Sequence, residues 1–197
     1  MGTTIGMLIF DGAEELDFVG PWEVFTMSKQ AGADDRVVTI AQRTDPVRCA
    51  KGLRVLPDHG FDNAPELDVV LVPGGEGTRS EAENPLLLEW LRKAAERCTW
   101  VTSVCTGSLL LSRAGLTRGR RITTHWAYIE TLRQHSPSEV LENVRYVRDG
   151  NVVTAAGVSA GIDMALWLTG QLHGIPHARN VQRLMEYDPA PPYAAET

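Results

Sequence analysis

The sequence has few cysteines and no long hydrophobic run, and each shortage excludes a class of protein. Its 197 residues contain three cysteines, Cys49, Cys98 and Cys105, without a Cys-x-x-Cys pair or a Cys/His ligand spacing. This pattern argues against a disulfide framework and against a zinc site. No apolar run has the length needed to cross a bilayer, and no basic segment followed by an apolar stretch opens the chain. We therefore expect free thiols in a reducing cytoplasm, no metal and no membrane.

Basic residues are also scarce. Lys and Arg number 19 against 25 Asp and Glu, which gives a formal net charge of −6. Nucleic acids and anionic membranes select basic surfaces, so we expect neither as a partner. The length and the 43% apolar content suffice for one domain with a sizeable core. We predict a single domain over residues 1–197, with an extended proline-rich tail at 188–197.

Strand-like and helix-like segments alternate along the chain. Apolar, β-branched runs end at Phe10, Val72 and Val104, and a helical pattern follows each of them. We expect Pro21 to open the first helix, and Asn84 and Ser159 to cap later ones. Asp149-Gly150 predicts a hairpin turn between two further strands. Alternation of this kind is typical of a parallel sheet with helices on both faces.

Parallel sheets bind their ligands beyond the carboxyl ends of the strands. That rule places four turns along one edge of the predicted sheet. They are the loop after Phe10, the Pro73-Gly74-Gly75 turn, the turn at Cys105 and the turn at Gly157. The candidate functional residues all come from these turns.

Cys105 stands between a strand pattern ending at Val104 and a helix pattern starting at Gly107. A helix N-terminus stabilises an anion, and a sharp turn lifts a side chain out of the core. We therefore expect an accessible thiolate with a lowered pKa. Ser103-Val-Cys-Thr-Gly107 resembles the Gly-x-Ser-x-Gly elbow of serine hydrolases, with cysteine as the nucleophile. The alternative is a buried cysteine that only fills space, which is our interpretation of Cys49 and Cys98.

Gly74 and Gly75 follow a strand and leave two backbone N–H groups unobstructed. Such donors can bind an atom that gains negative charge during a reaction, although a plain tight turn would need the same glycines.

Asp17 is the candidate proton carrier. A carboxyl group within reach of a thiolate has a raised pKa, because two anions disfavour each other, and can then exchange protons with a substrate. Asp17 lies between Leu16 and Phe18, which favours an inward direction. We interpret Glu14 and Glu15 as a solvated acidic loop, and Asp17 could belong to it as well.

His125 is a possible catalytic base, because Cys–His pairs are a common means of activating a thiol. It also stands where Thr124-His125-Trp126 opens a helix. The sequence favours a polar contact at that helix start over catalysis.

Together these motifs resemble the DJ-1/PfpI superfamily. The matching pieces are Leu16-Asp17 with Gly20-Pro21, Val72–Gly75, Thr102–Ser108, Thr123–Tyr128, Val147–Asn151, Ala160–Asp163 and Glu186-Tyr187 with the proline-rich 189–192. They span nearly the whole chain. The resemblance implies a flavodoxin-like three-layer α/β sandwich with a mostly parallel sheet and a cysteine at a strained strand-to-helix elbow.

Two positions select a branch of the superfamily. Its protease-like members have a histidine directly after the cysteine, whereas this chain has Thr106. Asp17 replaces the glutamate of the DJ-1 branch, as it does in the isonitrile hydratases. The resemblance therefore implies hydration of an isonitrile to an N-substituted formamide by a homodimer that uses water and no cofactor.

In the implied mechanism Cys105 adds to the isonitrile carbon to form a thioimidate. Asp17 supplies the proton and then activates water. Thr106 orients Asp17 or the water through its hydroxyl group, and Gly74 and Gly75 contact the substrate.

Three alternatives remain open at this stage. The first is a ligand sensor, because transcriptional regulators carry a similar cysteine-turn domain fused to a helix-turn-helix module. We expect no room for such a module after Tyr187. The second is another activity of the superfamily, such as glyoxalase-like or amide-hydrolysing chemistry. The third is a redox protein in which Cys105 is oxidised as a signal.

Overall fold

The computed structural model describes residues 2–190, which form a central sheet covered by helices on both faces. Its strands are β1 (Thr4–Leu8), β2 (Arg36–Ala41), β3 (Val47–Arg48), β4 (Arg54–Val55), β5 (His59–Gly60), β6 (Val69–Val72), β7 (Trp100–Val104), β8 (Arg121–Ile122), β9 (Glu139–Val140), β10 (Tyr146–Asp149) and β11 (Val152–Ala155). Seven of them form the central sheet in the order β10-β11-β7-β6-β1-β2-β5. All neighbours are parallel except β10 and β11, which form the predicted hairpin.

The helices form two layers. They are α1 (Glu15–Gln30), α2 (Thr78–Glu81), α3 (Pro85–Arg97), α4 (Gly107–Arg113), α5 (Ile129–His135), α6 (Ala160–His173) and α7 (Ile175–Leu184). On one face α1, α6 and α7 pack together, and Gly161 of α6 contacts Val104 of β7. Val101, three residues earlier on β7, faces the opposite side and lines a cavity with Arg92 of α3 and Ala114, which directly follows α4. The flavodoxin-like three-layer α/β sandwich predicted from the sequence is confirmed.

The strand order explains where a ligand can bind. From β1 the sheet extends through β2 in one direction and through β6 and β7 in the other, so its switch point lies between β1 and β6. In open α/β sheets this is where a crevice forms outside the carboxyl ends of the strands. All four residues of β6 are buried, in agreement with its continuous apolar sequence. The loops after β1, β6 and β7 therefore meet at one place above a rigid core.

The start of the first helix differs from the expectation. Helix α1 begins at Glu15, and Pro21 lies inside it instead of opening it. A proline within a helix has no N–H group, so the carbonyl of Asp17 loses its usual i+4 donor. The earlier start places Asp17 in the first turn of α1, directly after the β1 loop.

The predicted helix caps have mixed outcomes. Asn84 caps α3 as expected, because its side chain accepts hydrogen bonds from the amides of Leu86 and Leu87 at 3.1 and 3.4 Å. Ser159 precedes α6 but makes no side-chain capping bond. Its hydroxyl instead accepts weak contacts from Arg145 at 3.4 Å.

The C-terminal tail is described only in part. Residues 188–190 follow α7 outside any helix or strand, and the rest of the tail predicted at 188–197 lies outside the described residues. Within residues 2–190, no helix has the length and apolar character needed to cross a membrane.

Candidate active site

Cys105 occupies a strained turn between β7 and α4. Its φ angle is 55°, a left-handed conformation that residues with a side chain rarely adopt. Neighbouring elements hold the turn from both sides. The amide of Cys105 donates to the carbonyls of Ala155 and Ala156 at 3.1 and 2.8 Å. Its carbonyl accepts from the hydroxyls of Thr124 and Ser108 at 2.9 and 3.2 Å. The predicted elbow is therefore present and is fixed by hydrogen bonds.

Two glycines allow the neighbouring strand end to approach this elbow. A Cβ atom on Gly107 would lie 2.2 Å from the carbonyl oxygen of Val72. A Cβ atom on Gly74 would lie 2.6 Å from the amide nitrogen of Thr106. Neither position tolerates a side chain, so the turn after β6 contacts the elbow through backbone alone.

Asp17 is fully buried and points into the site, as its position between apolar residues suggested. Its Oδ2 atom accepts a hydrogen bond from the amide of Gly74 at 2.8 Å. Its Oδ1 atom has no hydrogen-bond partner in the part of the chain that the structure describes. Burial raises the pKa of Asp17 to about 7, with the Gly74 amide acting against the increase and Glu14 adding to it. The direction agrees with the sequence argument, although burial rather than a neighbouring thiolate is the main cause.

The thiol of Cys105 contradicts the expectation of an exposed, acidic sulfur. The residue is only 7% exposed. Burial, and after it the negative charge of Asp17, raise the pKa of the Cys105 thiol to about 12. The backbone amide and the hydroxyl of Thr106 act to lower this pKa, but they do not offset the burial. The resting site therefore contains a protonated thiol beside a carboxyl group that titrates near neutral pH.

Thr106 and the two glycines also form contacts that the sequence did not predict. The Thr106 hydroxyl accepts a hydrogen bond from the amide of Gly75 at 3.1 Å and contacts the hydroxyl of Thr78, also at 3.1 Å. It does not bond to Asp17, so the expected orientation of Asp17 by Thr106 is not seen. The amides of Gly74 and Gly75 are engaged by Asp17 and Thr106 respectively. These donors organise the side chains of the site and are not open to a ligand in this state.

Comparison with known proteins identifies the family to which a chain with this site belongs. Residues 3–171 match the DJ-1/PfpI family. The chain belongs to the DJ-1/PfpI family. It is 42% identical to the isonitrile hydratase of Pseudomonas putida over 193 residues, which cover 98% of this chain and 82% of that protein.

Two further relatives extend the comparison. A crystal structure of a ThiJ/PfpI family protein from Pseudomonas syringae superposes with a TM-score of 0.92 at 34% identity, covering all of this chain and 80% of that one. The HTH-type transcriptional regulator GbdR of Pseudomonas aeruginosa is 29% identical over 187 residues, which are 94% of this chain and 51% of the regulator.

His125 has a structural role in this DJ-1/PfpI chain. Its Nδ1 atom accepts a hydrogen bond from the amide of Ala127 at 3.2 Å and so caps the short 3₁₀ turn Trp126–Tyr128. The ring packs against Gly157, where a Cβ atom would lie 2.2 Å from its Cδ2 atom. The contact at a helix start, which the sequence favoured, is confirmed.

Sequence reasoning missed two residues of the site. Thr78 is fully buried in α2, and its hydroxyl reaches both Gly75 and Thr106. Val158 has a φ angle of 48°, which is unusual for a β-branched residue, and its amide acts to lower the pKa of Asp17. The turn at Gly157 was the only signal for Val158, and nothing in the sequence distinguished Thr78 from an ordinary helical threonine.

A metal ion has no evident place within residues 2–190. No group of three or more His, Cys, Asp or Glu side chains there lies close enough together to hold one.

Proposed function

We propose that this DJ-1/PfpI protein hydrates isonitriles, R–N≡C, to N-substituted formamides, R–NH–CHO. One observation carries the proposal. A buried thiol, that of Cys105, and a buried carboxyl group, that of Asp17, lie at the same turn, where Gly74 contacts Cys105 and donates a hydrogen bond to Asp17. The 42% identity to an isonitrile hydratase over almost the whole chain supports the same reaction.

In the first step the thiol adds across the terminal carbon of the isonitrile. The S–H bond of Cys105 breaks as the S–C bond forms, and Asp17 accepts the proton. Asp17 then delivers that proton to the same carbon, which had a lone pair, and the product is the thioimidate R–N=CH–S–Cys105. The Oδ1 atom is suited to this transfer because Oδ2 is already engaged by Gly74. The pair thereby transfers its one proton to the substrate carbon, and Asp17 ends the step as a carboxylate.

In the second step water hydrolyses the thioimidate. Asp17 removes a proton from the water as its oxygen attacks the carbon, and passes that proton to the nitrogen. The resulting R–NH–CH(OH)–S–Cys105 collapses, the C–S bond breaks and the hydroxyl becomes the formyl oxygen. The released proton returns to the sulfur, so the thiol and the carboxylate are regenerated.

Both steps need a pair that holds one proton. The pKa values of about 7 for Asp17 and about 12 for Cys105 mean that one proton remains on the pair over most of the range between them. Because the groups interact, that proton belongs to the pair and not to either residue alone. A thiolate in the resting state is therefore unnecessary for this mechanism.

The direct test is formamide production from cyclohexyl isonitrile by purified protein. We expect Cys105→Ala to abolish turnover and Asp17→Asn to lower kcat by at least about a hundredfold, the usual scale of a lost acid–base group. Cys49→Ala and Glu23→Gln serve as matched controls outside the site and should retain turnover. Wild-type turnover by a correctly folded Cys105→Ala protein would refute the proposal.

Ligand sensing is the second candidate, because the chain also matches about half of a transcriptional regulator. Saturable binding of an isonitrile or another small molecule with no product over many hours would favour it. A parallel assay for methylglyoxal consumption distinguishes the glyoxalase-like alternative.

The proposal includes assembly as a homodimer. The side chains of Leu16, Val19, Leu53 and Leu56 are exposed at the start of α1 and around the β3–β4 hairpin. Glu15 connects these two regions, because its Oε1 atom accepts a hydrogen bond from the amide of Lys51 at 2.7 Å. Light scattering that gives the mass of one chain at micromolar concentration would exclude a dimer.

A further inference from the structure

We infer that Arg145, Asp163 and Tyr187 are positioning residues that hold the elbow at Cys105 in place. Asp163 and Tyr187 each belong to a sequence motif that has no role in the reaction described above. Arg145 directly precedes β10 and lies outside those motifs. The inference rests on Cys105 being the reactive group of the proposed function.

The carboxylate of Asp163 connects three parts of the chain. Asp163 is in the first turn of α6, and its Oδ2 atom accepts a hydrogen bond from Nε of Arg145 at 2.7 Å. Its Oδ1 atom accepts from the hydroxyl of Tyr187, also at 2.7 Å. Tyr187 follows α7 and is fixed there by Gln182, whose carbonyl and side-chain amide bond to its backbone N–H and carbonyl at 3.0 Å each. The start of α6 is therefore bonded on one side to the segment before β10 and on the other to the end of α7.

The backbone of Arg145 connects this carboxylate bridge to the elbow. Its carbonyl accepts a hydrogen bond from the amide of Ala156 at 2.9 Å, and the carbonyl of Ala156 accepts from the amide of Cys105 at 2.8 Å. Two consecutive hydrogen bonds therefore join Arg145 to the residue that carries the thiol. The guanidinium group of Arg145 also lies 3.4 Å from the hydroxyl of Ser159, which directly precedes α6. Arg145 thus contacts both ends of the turn at residues 156–159.

The first turn of α6 contacts the elbow by a second route. Gly161 is in the same turn as Asp163, and a Cβ atom on it would lie 3.0 Å from a methyl group of Val104. Val104 is the last residue of β7 and directly precedes Cys105. A displacement of this turn would therefore change the packing beneath the elbow, and the two hydrogen bonds of Asp163 oppose such a displacement.

The elbow needs this support because of its backbone conformation. A φ angle of 55° is unfavourable for a residue with a side chain, and it persists only where the surrounding contacts hold it. The carbonyls of Ala155 and Ala156 provide such contacts to the amide of Cys105. If Ala156 moved, the elbow could relax, which would shift the sulfur relative to Asp17 and increase its exposure from the present 7%.

A bridge that only stabilises the helix is the alternative. The side chains of Arg145 and Asp163 are 52% and 28% exposed, so their ion pair by itself adds little to stability. A negative charge in the first turn of a helix is favourable even without a partner. Tyr187→Phe separates the two interpretations, because it removes one hydrogen bond of the bridge and leaves both charges in place.

The test measures the thiol itself and not isonitrile turnover. We would follow the rate at which iodoacetamide alkylates Cys105 in the folded protein, by mass spectrometry that resolves each cysteine. We expect Tyr187→Phe to increase this rate about fivefold, the equivalent of one hydrogen bond that opposes local opening. Cys98 is an internal control, because it is also 7% exposed and burial raises its pKa to about 12 as well. Its rate should stay unchanged.

Further variants test the bridge as a unit. Asp163→Ala and Arg145→Met should increase the Cys105 rate at least as much as Tyr187→Phe. Arg145→Lys keeps a cationic donor for Asp163 and should restore part of the protection. The double variant of Asp163→Ala with Tyr187→Phe should react no faster than Asp163→Ala alone, because both changes break the same bridge.

A matched control separates positioning from a general weakening of α6. The buried hydroxyl of Thr169 donates to the carbonyl of Ala165 at 2.9 Å, further along the same helix. Thr169→Val removes this hydrogen bond without touching the bridge, so it should leave the Cys105 rate unchanged. An increase equal to that of Tyr187→Phe would show that any loss on α6 has the same effect, and the positioning role would be wrong.

Isonitrile turnover gives a second measurement where it is present. We expect Tyr187→Phe to lower kcat about tenfold, because small displacements of reacting groups are costly, and to keep KM within about twofold. A raised KM at an unchanged kcat would place the effect in substrate binding and would contradict the inference.

The outcomes are distinguishable from those for the proposed function. An unchanged Cys105 rate in Tyr187→Phe, or Cys105 and Cys98 rates that increase together, would overturn the positioning role. The expected alkylation pattern in a protein that does not hydrate isonitriles would support the positioning role and refute only the proposed reaction.

Discussion

A Cβ atom on Gly74 would lie 2.8 Å from the Cβ atom of Cys105, closer than such atoms are found in proteins. The turns that follow β6 and β7 are therefore in direct contact. The same glycine donates its amide to Asp17. One backbone position thus sets the distance between the candidate nucleophile and the candidate proton carrier.

Gly74→Ala should damage the site because the added methyl group must displace the elbow. We expect the variant to lose about 1–3 kcal/mol of stability from overpacking. Turnover should fall at least about a hundredfold, since small displacements of reacting groups are costly. Gly170→Ala is the matched control, because a Cβ atom there lies 3.6 Å from Ala178 in ordinary contact within a helix. Thermal unfolding and formamide production measure both effects, and an active Gly74→Ala protein would contradict the site geometry.

The pH dependence of turnover should follow the ionisation of Asp17. Below its pKa of about 7 both Asp17 and Cys105 carry a proton, so no base is available to accept the proton of the thiol. We expect kcat/KM to rise with pH through about 7 and then level off. A profile that falls over this range would exclude the carboxylate as the base.

Two charged neighbours of Asp17 give this prediction an internal control. Lys51 lowers the pKa of Asp17 and Glu14 raises it. Lys51→Met should therefore move the midpoint of the profile upward, and Glu14→Gln should move it downward. Midpoints that move in the same direction would show that the profile reports another group.

The sequence predicted the elements of this site better than its electrostatics. Local signals specify the elbow at Cys105, the cap at Asn84 and the hairpin turn at Gly150, because each depends on a few neighbouring residues. The resemblance of scattered motifs then placed Asp17 near Cys105. The sign of the Cys105 pKa shift was predicted wrongly, because the burial of this residue depends on the approach of turns that are distant in sequence, such as the one at Gly74.

Long-range contacts also account for two other features that the sequence did not predict, the start of α1 and the place of Thr78 in the site. Pro21 is a helix-opening signal locally, yet α1, which packs against α6 and α7, already begins at Glu15. Thr78 becomes part of the site only because α2 lies beside Thr106, 28 residues further along the chain. No local sequence pattern predicts either contact.

Ser103 and Ser108, on either side of Cys105, should respond in opposite ways to replacement by alanine. The Ser103 hydroxyl is buried and, within the described residues, has no hydrogen-bond partner. Its removal in Ser103→Ala should raise the free energy of unfolding by about 1 kcal/mol. The Ser108 hydroxyl donates to the Cys105 carbonyl at 3.2 Å, so Ser108→Ala should lower the free energy of unfolding by about 1 kcal/mol. Urea denaturation distinguishes the two, and destabilisation by Ser103→Ala would indicate a partner for its hydroxyl.

The buried carboxyl group should also make the stability of the protein depend on pH. Between the unfolded pKa of 3.8 and the folded pKa of about 7, Asp17 is protonated in the folded chain and ionised in the unfolded chain. The folded state therefore binds more protons, so the contribution of Asp17 to stability is present below pH 3.8 and is lost as the pH rises through about 7. The size of this loss is about 4 kcal/mol, at about 1.4 kcal/mol per pH unit.

Asp17→Asn isolates this contribution, because the amide keeps the shape of the side chain and can still accept the Gly74 hydrogen bond. The variant should be more stable than the wild type at pH 8, and the difference should shrink on acidification towards pH 5. Urea denaturation of both proteins across this range measures the difference. A gap that stays constant with pH, or that widens towards acid, would mean that Asp17 ionises in the folded protein as readily as in the unfolded chain, and a proton carrier with a raised pKa would then be ruled out.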